Sequence, residues 1–193
     1  MSKSNRVGVN DATYSVYSKV NGSVVRCKAY VAWRAMLNRA YGKSYKERFN
    51  TYCGVSVCDE WHYFMTFRKW WIDNKVDGWQ LDKDLVGDGK TYSPSTCVYI
   101  PCWLNSFTTS RSALRGSYPV GVSIDKQTGK FHSRCHHPKT LKSEFLGAFL
   151  SSDDAYMAWL KRKLEIAMEL KDEMDAIDER IYEGVVKIIK ETK

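Results

Sequence analysis

The chain has 193 residues, 44% of them hydrophobic and 27% charged, with 30 Lys and Arg against 22 Asp and Glu and a formal net charge of +8. That length suits one large or two small domains, each with a real core, and no apolar run approaches the roughly 20 residues that a membrane span needs. The basic balance favours a polyanionic partner over a membrane surface or an acidic scaffold. The charge is uneven. Residues 1–107 carry 15 Lys and Arg against 9 Asp and Glu, residues 108–147 carry 7 against 2, and residues 148–193 carry 8 against 11. The positive excess is therefore densest just upstream of the last helical segment. The polar start MSKSNRVGVND has no leader-like apolar stretch, and six cysteines without one are expected to be reduced thiols in a cytoplasm.

Taken in order, residues 1–24 contain short strand-like pieces at Val7 to Val9 and Tyr14 to Val20, and Asn21-Gly22 is a turn signal between apolar residues that predicts a hairpin. From Lys28 the spacing becomes helical: Tyr30, Trp33, Met36, Leu37 and Ala40-Tyr41 share a face, and Gly42 is the expected stop. Residues 43–50 are basic and polar and are expected to be a connector. Residues 54–58 read as a short strand. Asp59 is expected to cap a helix carrying Trp61, Phe64, Met65, Phe67, Trp70 and Trp71, apolar nearly all round and therefore central to the first domain. His62, the only histidine of residues 1–107, fits a partly satisfied core imidazole better than a base.

Residues 80–105, QLDKDLVGDGKTYSPSTCVYIPCWLN, predict strand, broad loop, strand and helix. Asp82 and Asp84 lie at the first strand, Gly87 to Lys90 form a turn, Cys97 to Ile100 a strand, and Asn105 sits on the helix after Pro101. Asp and Asn also serve as ordinary turn and cap residues, so the pattern alone leaves both readings open. Cys53/Cys58 and Cys97/Cys102 repeat a spacing with four residues between. Structural zinc usually takes a shorter spacing and is the weaker reading, since cysteines in apolar runs behave as small hydrophobes.

This stretch resembles the ββα-metal core of HNH-type nucleases. The order Tyr30-x-x-Trp33-x-x-Met36-Leu37-x-Arg39-x-Tyr41, Val57-Cys58-x-Glu60-Trp61-x-x-Phe64, Leu81-Asp82-Lys83-Asp84 and Tyr92-Ser93-Pro94-x-Thr96-Cys97 is similar to phage-type HNH and homing-endonuclease-like proteins. The resemblance implies a divalent ion, Mg²⁺ by its preference for oxygen, held by Asp82 and Asn105, with Asp84 as a further ligand or base. Lys83 stands where that family places its catalytic histidine, and Thr96 where it places a central Asn. A lysine with an ordinary pKa near ~10 is a poor base at neutral pH. The catalytic set implied by the resemblance is thus Asp82, Lys83, Asp84 and Asn105. Location would be the cytoplasm of a host cell.

Residues 108–117 are rich in Ser, Thr and Arg and read as a basic linker between a first domain at 1–107 and a second at 118–193. Its Arg111 and Arg115 either follow a phosphate backbone or simply solvate a tether. Three antiparallel strands are then predicted at 120–125, 130–136 and 145–149, the middle one alternating Phe131, Ser133 and Cys135 with Lys130, His132, Arg134 and His136. Ser151 to Asp154 form a cap signal for a helix running to about Glu169. Pro119-Val120-Gly121-Val122-Ser123, Gly129-Lys130-Phe131 and Leu146-Gly147-x-Phe149 before an Ala-rich helix resemble the ethylene-response-factor (APETALA-type) DNA-binding domain. That resemblance implies a sheet face that enters the major groove of double-stranded DNA. By alternation, Lys130, His132, Arg134 and His136 are the groove-facing candidates, with Lys126 and Lys139 as phosphate contacts.

Residues 152–190 read as one long helix or two, with an apolar stripe that packs on its own domain or pairs two copies in a coiled-coil homodimer. The expected architecture is α+β: an HNH-like domain with flanking helices, then a three-stranded antiparallel sheet on a long C-terminal helix. Three functions fit: a metal-dependent DNA endonuclease, a DNA-binding protein on a catalytically degenerate HNH fold, and an interaction or inhibitor protein that binds a host protein.

Overall fold

The structure is a computed structural model and describes residues 7–109 and 117–192. It is mixed α+β and divides into two compact units, Met1–Tyr99 and Ile100–Lys193.

The first unit opens with a hairpin of β1 (Tyr17–Val20) and β2 (Ser23–Arg26), paired antiparallel in the register Val20 to Ser23. Asn21 and Gly22 at φ 50° and 78° turn the chain, the doubly left-handed geometry that Asn-Gly favours. Helix α1 (Lys28–Tyr41) buries Ala29, Trp33, Met36, Leu37 and Ala40. It stops at Gly42 as the sequence implies, but by room rather than by a left-handed turn. Gly42 has φ −70° and donates its N–H to Asn38 O at 2.8 Å. A Cβ there would meet the Asn38 side-chain and main-chain oxygens at 2.4 and 2.5 Å.

Residues 43–48, expected as a connector, form α2 (Lys43–Arg48), with Tyr45 packed against Phe49 and Tyr52. A second correction concerns Asp59. It opens a 3-10 turn (Asp59–His62) without capping it, and α3 starts only at Phe64 and runs to Asn74. The cause is non-local. Val9 donates its N–H to His62 O at 2.8 Å and accepts from Phe64 N at 3.0 Å, so an incoming segment occupies the joint. Helix α3 buries Phe64 and Phe67 but leaves Ile72 53% exposed, so it is one-sided rather than apolar all round. The core is aromatic: Trp33, Trp61, Phe64 and Phe67 are fully buried, and Trp61 meets Phe67 edge-to-face at 5.2 Å, a preferred ring geometry. Four short strands complete the framework. The pair β3 (Ser56–Val57) and β5 (Thr91–Tyr92) is parallel, and β4 (Gln80–Asp82) pairs with β6 (Val98–Ile100).

The second unit holds α4 (Cys102–Thr108) and an antiparallel sheet in the order β7 (Val122–Ile124), β8 (Phe131–His136), β9 (Ser143–Phe149). The sheet lies on α5 (Ser152–Glu169). Ser151 caps α5 as expected, its hydroxyl accepting the Asp154 N–H at 3.0 Å. Gly121, at φ 76°, lies flat on Trp159: an added Cβ would sit 2.1 Å from the indole.

The terminal segment, expected as one long helix or two, is three. After α5 come α6 (Lys171–Asp175) and α7 (Ile181–Glu191). Asp178 breaks the run by turning its carboxylate back onto the Arg180 N–H and guanidinium. Helix α7 then folds against α5. Ile181, Val185 and Ile189, one helical turn apart, are 0–2% exposed. These stripe positions are buried within their own unit, while Met168 is 59% exposed.

Candidate functional site

The loop from Asp82 to Lys90 is built by its own acids. Asp82 Oδ1 accepts the N–H of Asp84 at 2.8 Å and of Leu85 at 2.9 Å. Asp88 Oδ1 does the same for Lys90 and Thr91, both at 2.8 Å, and these bonds hold its carboxyl below the usual carboxylate range. Asp82 moves the other way: burial raises it, and the two N–H donors only partly offset that. Stabilising a carboxylate through N–H groups while removing water from it are opposed effects, and here desolvation is the larger. Asp82 Oδ2 accepts no hydrogen bond from the described residues.

Lys83 points inward and is only 4% exposed. Its Nζ donates to Asp84 Oδ1 and to Gly89 O, both at 2.6 Å, and stands 5.7 Å from the ring centroids of Tyr52 and Tyr92. Where the sequence resemblance would place a base, the chain thus has a cation committed to an ion pair and a carbonyl. The Arg39 guanidinium lies over the buried Tyr92 ring at 5.5 Å, and its buried Nε has no hydrogen-bond partner among the described residues. Burial raises both Tyr52 and Tyr92. Asp82, Lys83 and Asp84 therefore come together in the first unit. Asn105 belongs to α4 of the second unit, half-buried, with its carbonyl accepting the Thr109 hydroxyl at 2.7 Å. Thr96 closes the loop that follows, donating to Thr91 O at 2.6 Å and bonding the Ser93 hydroxyl at 2.8 Å.

The cysteines do not act alike. Cys53 and Cys102 are exposed, while Cys97 is buried and pushed up to about 12, and Cys58 to about 11, mainly by desolvation. No three side chains of His, Cys, Asp or Glu among the described residues cluster in metal-binding fashion.

In the second unit the alternation along β8 sorts as the sequence implies. Ser133 and Cys135 face α5 and are buried, whereas Arg134 and His136 are exposed and His132 half-buried. Register sets Ser123 beside His132, and Phe145 beside Arg134 past a bulge at Ser133/Arg134. Phe145 is 51% exposed, with the Arg134 guanidinium 5.1 Å from its centroid and the His132 ring at 5.3 Å. The open face is thus an aromatic ring between cationic and imidazole groups. Lys126 and Lys130 stand exposed at the β7–β8 turn, which Asp125 holds through the Thr128 hydroxyl and the Gln127 N–H. Lys139 points elsewhere: its Nζ donates to Glu173 Oε2 at 2.6 Å and lies 5.3 Å from the Trp103 ring centroid. Arg111, Arg115 and most of the expected linker lie outside the described residues.

Two features escaped the sequence. Phe145 reads as core in a strand pattern, and only the register reveals it on the open face. Lys163, four residues after Trp159, falls on the inward stripe of α5. A lysine on an apolar stripe is the signal that could have found it.

The fold defines an α+β chain with an acid-built loop in one unit and a sheet laid on a helix in the other. Comparison with family models, with curated proteins and with solved structures returned no match.

Proposed function

We propose that this chain binds duplex DNA through the open face of the sheet in its second unit, as its resemblance to APETALA-type domains implies. The observation that carries the reading is the face itself: Arg134, His132 and Phe145 lie together on one side of a sheet whose other side is packed on α5. A two- or three-stranded ribbon fits the major groove, and Lys126 and Lys130 at the turn suit phosphates. Fluorescence anisotropy with a labelled duplex tests it. Binding should fall steeply between ~50 and ~200 mM salt, as counterion release requires. Joint replacement of Lys130, His132 and Arg134 by Ala should weaken it by at least roughly tenfold. Unchanged affinity in that variant, or no binding at low salt, defeats the proposal.

A second reading, metal-dependent phosphodiester hydrolysis of the HNH type, is favoured by Asp82. One carboxylate oxygen is fixed by two backbone N–H groups, which leaves Oδ2 as a donor suited to a hard divalent ion such as Mg²⁺. When bound, such an ion would polarise a phosphate and stabilise a leaving oxygen. Lys83, with its ammonium engaged by Asp84 and Gly89, would serve as a fixed positive charge rather than a base. Plasmid nicking that needs Mg²⁺ and is lost in Asp82→Ala and Asn105→Ala supports this reading. Nicking that survives both substitutions removes it.

A further inference from the structure

The second unit contains a cleft of about 760 Å³ and, adjoining it, a smaller one of about 250 Å³. Both are lined by Phe107 of α4, His136 of β8 and Lys163 of α5. The larger also has Trp103 on its wall, the smaller Arg134 and Trp159. The size is within the usual range for small-molecule sites, ~300–1,000 Å³.

Charge decides what the cleft can hold. The Lys163 Nζ sits 3.7 Å from the Phe107 ring centroid and 6.0 Å from that of Trp159. Among the described residues it has neither an ion-pair nor a hydrogen-bond partner. Two acids of the unit, Glu144 and Glu169, are held by Arg162 at 2.6 and 2.7 Å. No Asp or Glu lines either cleft. Burial accordingly pushes the Lys163 amine down to about 8. Ring faces compensate a buried ammonium only in part. The His136 imidazole stands on the wall of both clefts.

We infer that this cleft binds a phosphomonoester carried on a planar ring, with Lys163 and His136 around the phosphate and the Trp103 indole against the ring. A nucleoside monophosphate is the simplest molecule of that class. Ser106 and Thr109 also line the cleft, and hydroxyls of this kind bond a sugar. The inference stands apart from duplex binding by the sheet. The same chemistry occurs free in solution and at the 5′ end of a nucleic-acid strand.

Isothermal titration at neutral pH and low salt, on the full chain, tests it with adenosine 5′-monophosphate, adenosine and inorganic phosphate. The monophosphate should bind with a Kd below ~1 mM, phosphate roughly tenfold more weakly, and adenosine not measurably. Lys163→Met should weaken the monophosphate by at least roughly tenfold while melting no lower than the native chain. Trp103→Ala should weaken the monophosphate but leave phosphate unchanged. A 5′-phosphorylated oligonucleotide that outbinds both its 5′-hydroxyl counterpart and the free monophosphate assigns the ligand to strand ends. The reverse order assigns it to the free nucleotide. No heat from the monophosphate at ~10 mM, or equal binding by Lys163→Met, overturns the inference.

Discussion

Replacing Lys163 by Met should stabilise this protein, and the size of the effect follows from its surroundings. The amine ionises near 10.5 when free and near 8 in the folded chain. Each tenfold change in proton affinity is about 1.4 kcal/mol, so holding the protonated amine in the fold costs about 3 kcal/mol. The contact with Phe107 at 3.7 Å is lost with the charge, and such contacts are worth about 0.5–2 kcal/mol. Methionine keeps an unbranched apolar stem in the same groove. The expected net gain is about 1–3 kcal/mol at pH 7.

The pH dependence supplies the decisive signature. A lysine depressed by folding destabilises fully below its folded value, and the penalty fades as pH rises toward the free value. Between about 8 and 10.5 the unfolded chain binds more protons, so stability should rise with pH there. Buried Cys97, at about 12, and Tyr99, also at about 12, push oppositely in the same range. The native-minus-variant difference cancels them. Urea melts from pH 7 to pH 10 should show the advantage of Lys163→Met shrinking toward zero. A variant no more stable at pH 7, or an advantage constant across that range, would refute the desolvated-amine account.

Gly121→Ala should cost about 2–4 kcal/mol, because a Cβ at φ 76° would lie 2.1 Å from Trp159; thermal melting reads it. Trp33→Phe leaves Trp61 O, now bonded at 2.7 Å, without its donor and should cost about 1–3 kcal/mol by urea denaturation. Phe145→Ala removes a half-exposed ring, so it should weaken duplex binding several-fold with the melting temperature unchanged. In the native state a thiol reagent should modify Cys53 and Cys102 within the first phase, and Cys97 and Cys135 only on unfolding. Early modification of Cys97 would contradict its burial.

Local chemistry was legible in the sequence, and non-local closure was not. Asn21-Gly22 determines its turn by backbone preference alone, and Ser151 caps its helix with an atom three residues from the amide it accepts. The alternation along residues 131–136 placed Arg134 and His136 outward because one sheet face had to be covered. Asp59 failed as a cap because Val9, fifty residues upstream, had already claimed the joint's backbone groups. The loop at Asp82 was found by residue type, yet the commitment of Lys83 depends on Gly89 O and two tyrosines that only the folded loop brings near. The terminal stripe showed the right period, but not that Asp178 would fold it back.

The distribution of ion pairs explains how an acidic C-terminal segment coexists with a cationic sheet. Several acids of the second unit are matched to particular cations: Glu144, Glu165 and Glu169 to Arg162, Glu173 to Lys139, Asp175 to Lys171 and Asp178 to Arg180. Lys126, Lys130, Arg134 and Lys163 pair with no carboxylate among the described residues. Exposed pairs of this kind contribute little to stability, so their value lies in where they leave the remainder. Pairing these acids weakens the negative field that would otherwise offset the sheet and the cleft. Arg162 is the pivot, since it holds acids from both β9 and α5. Arg162→Met should release Glu144 and Glu169 next to Lys163 and lower the affinity for anions, with little change in the melting temperature. Equal monophosphate and duplex affinities in that variant would show that the cleft and sheet do not sense these acids.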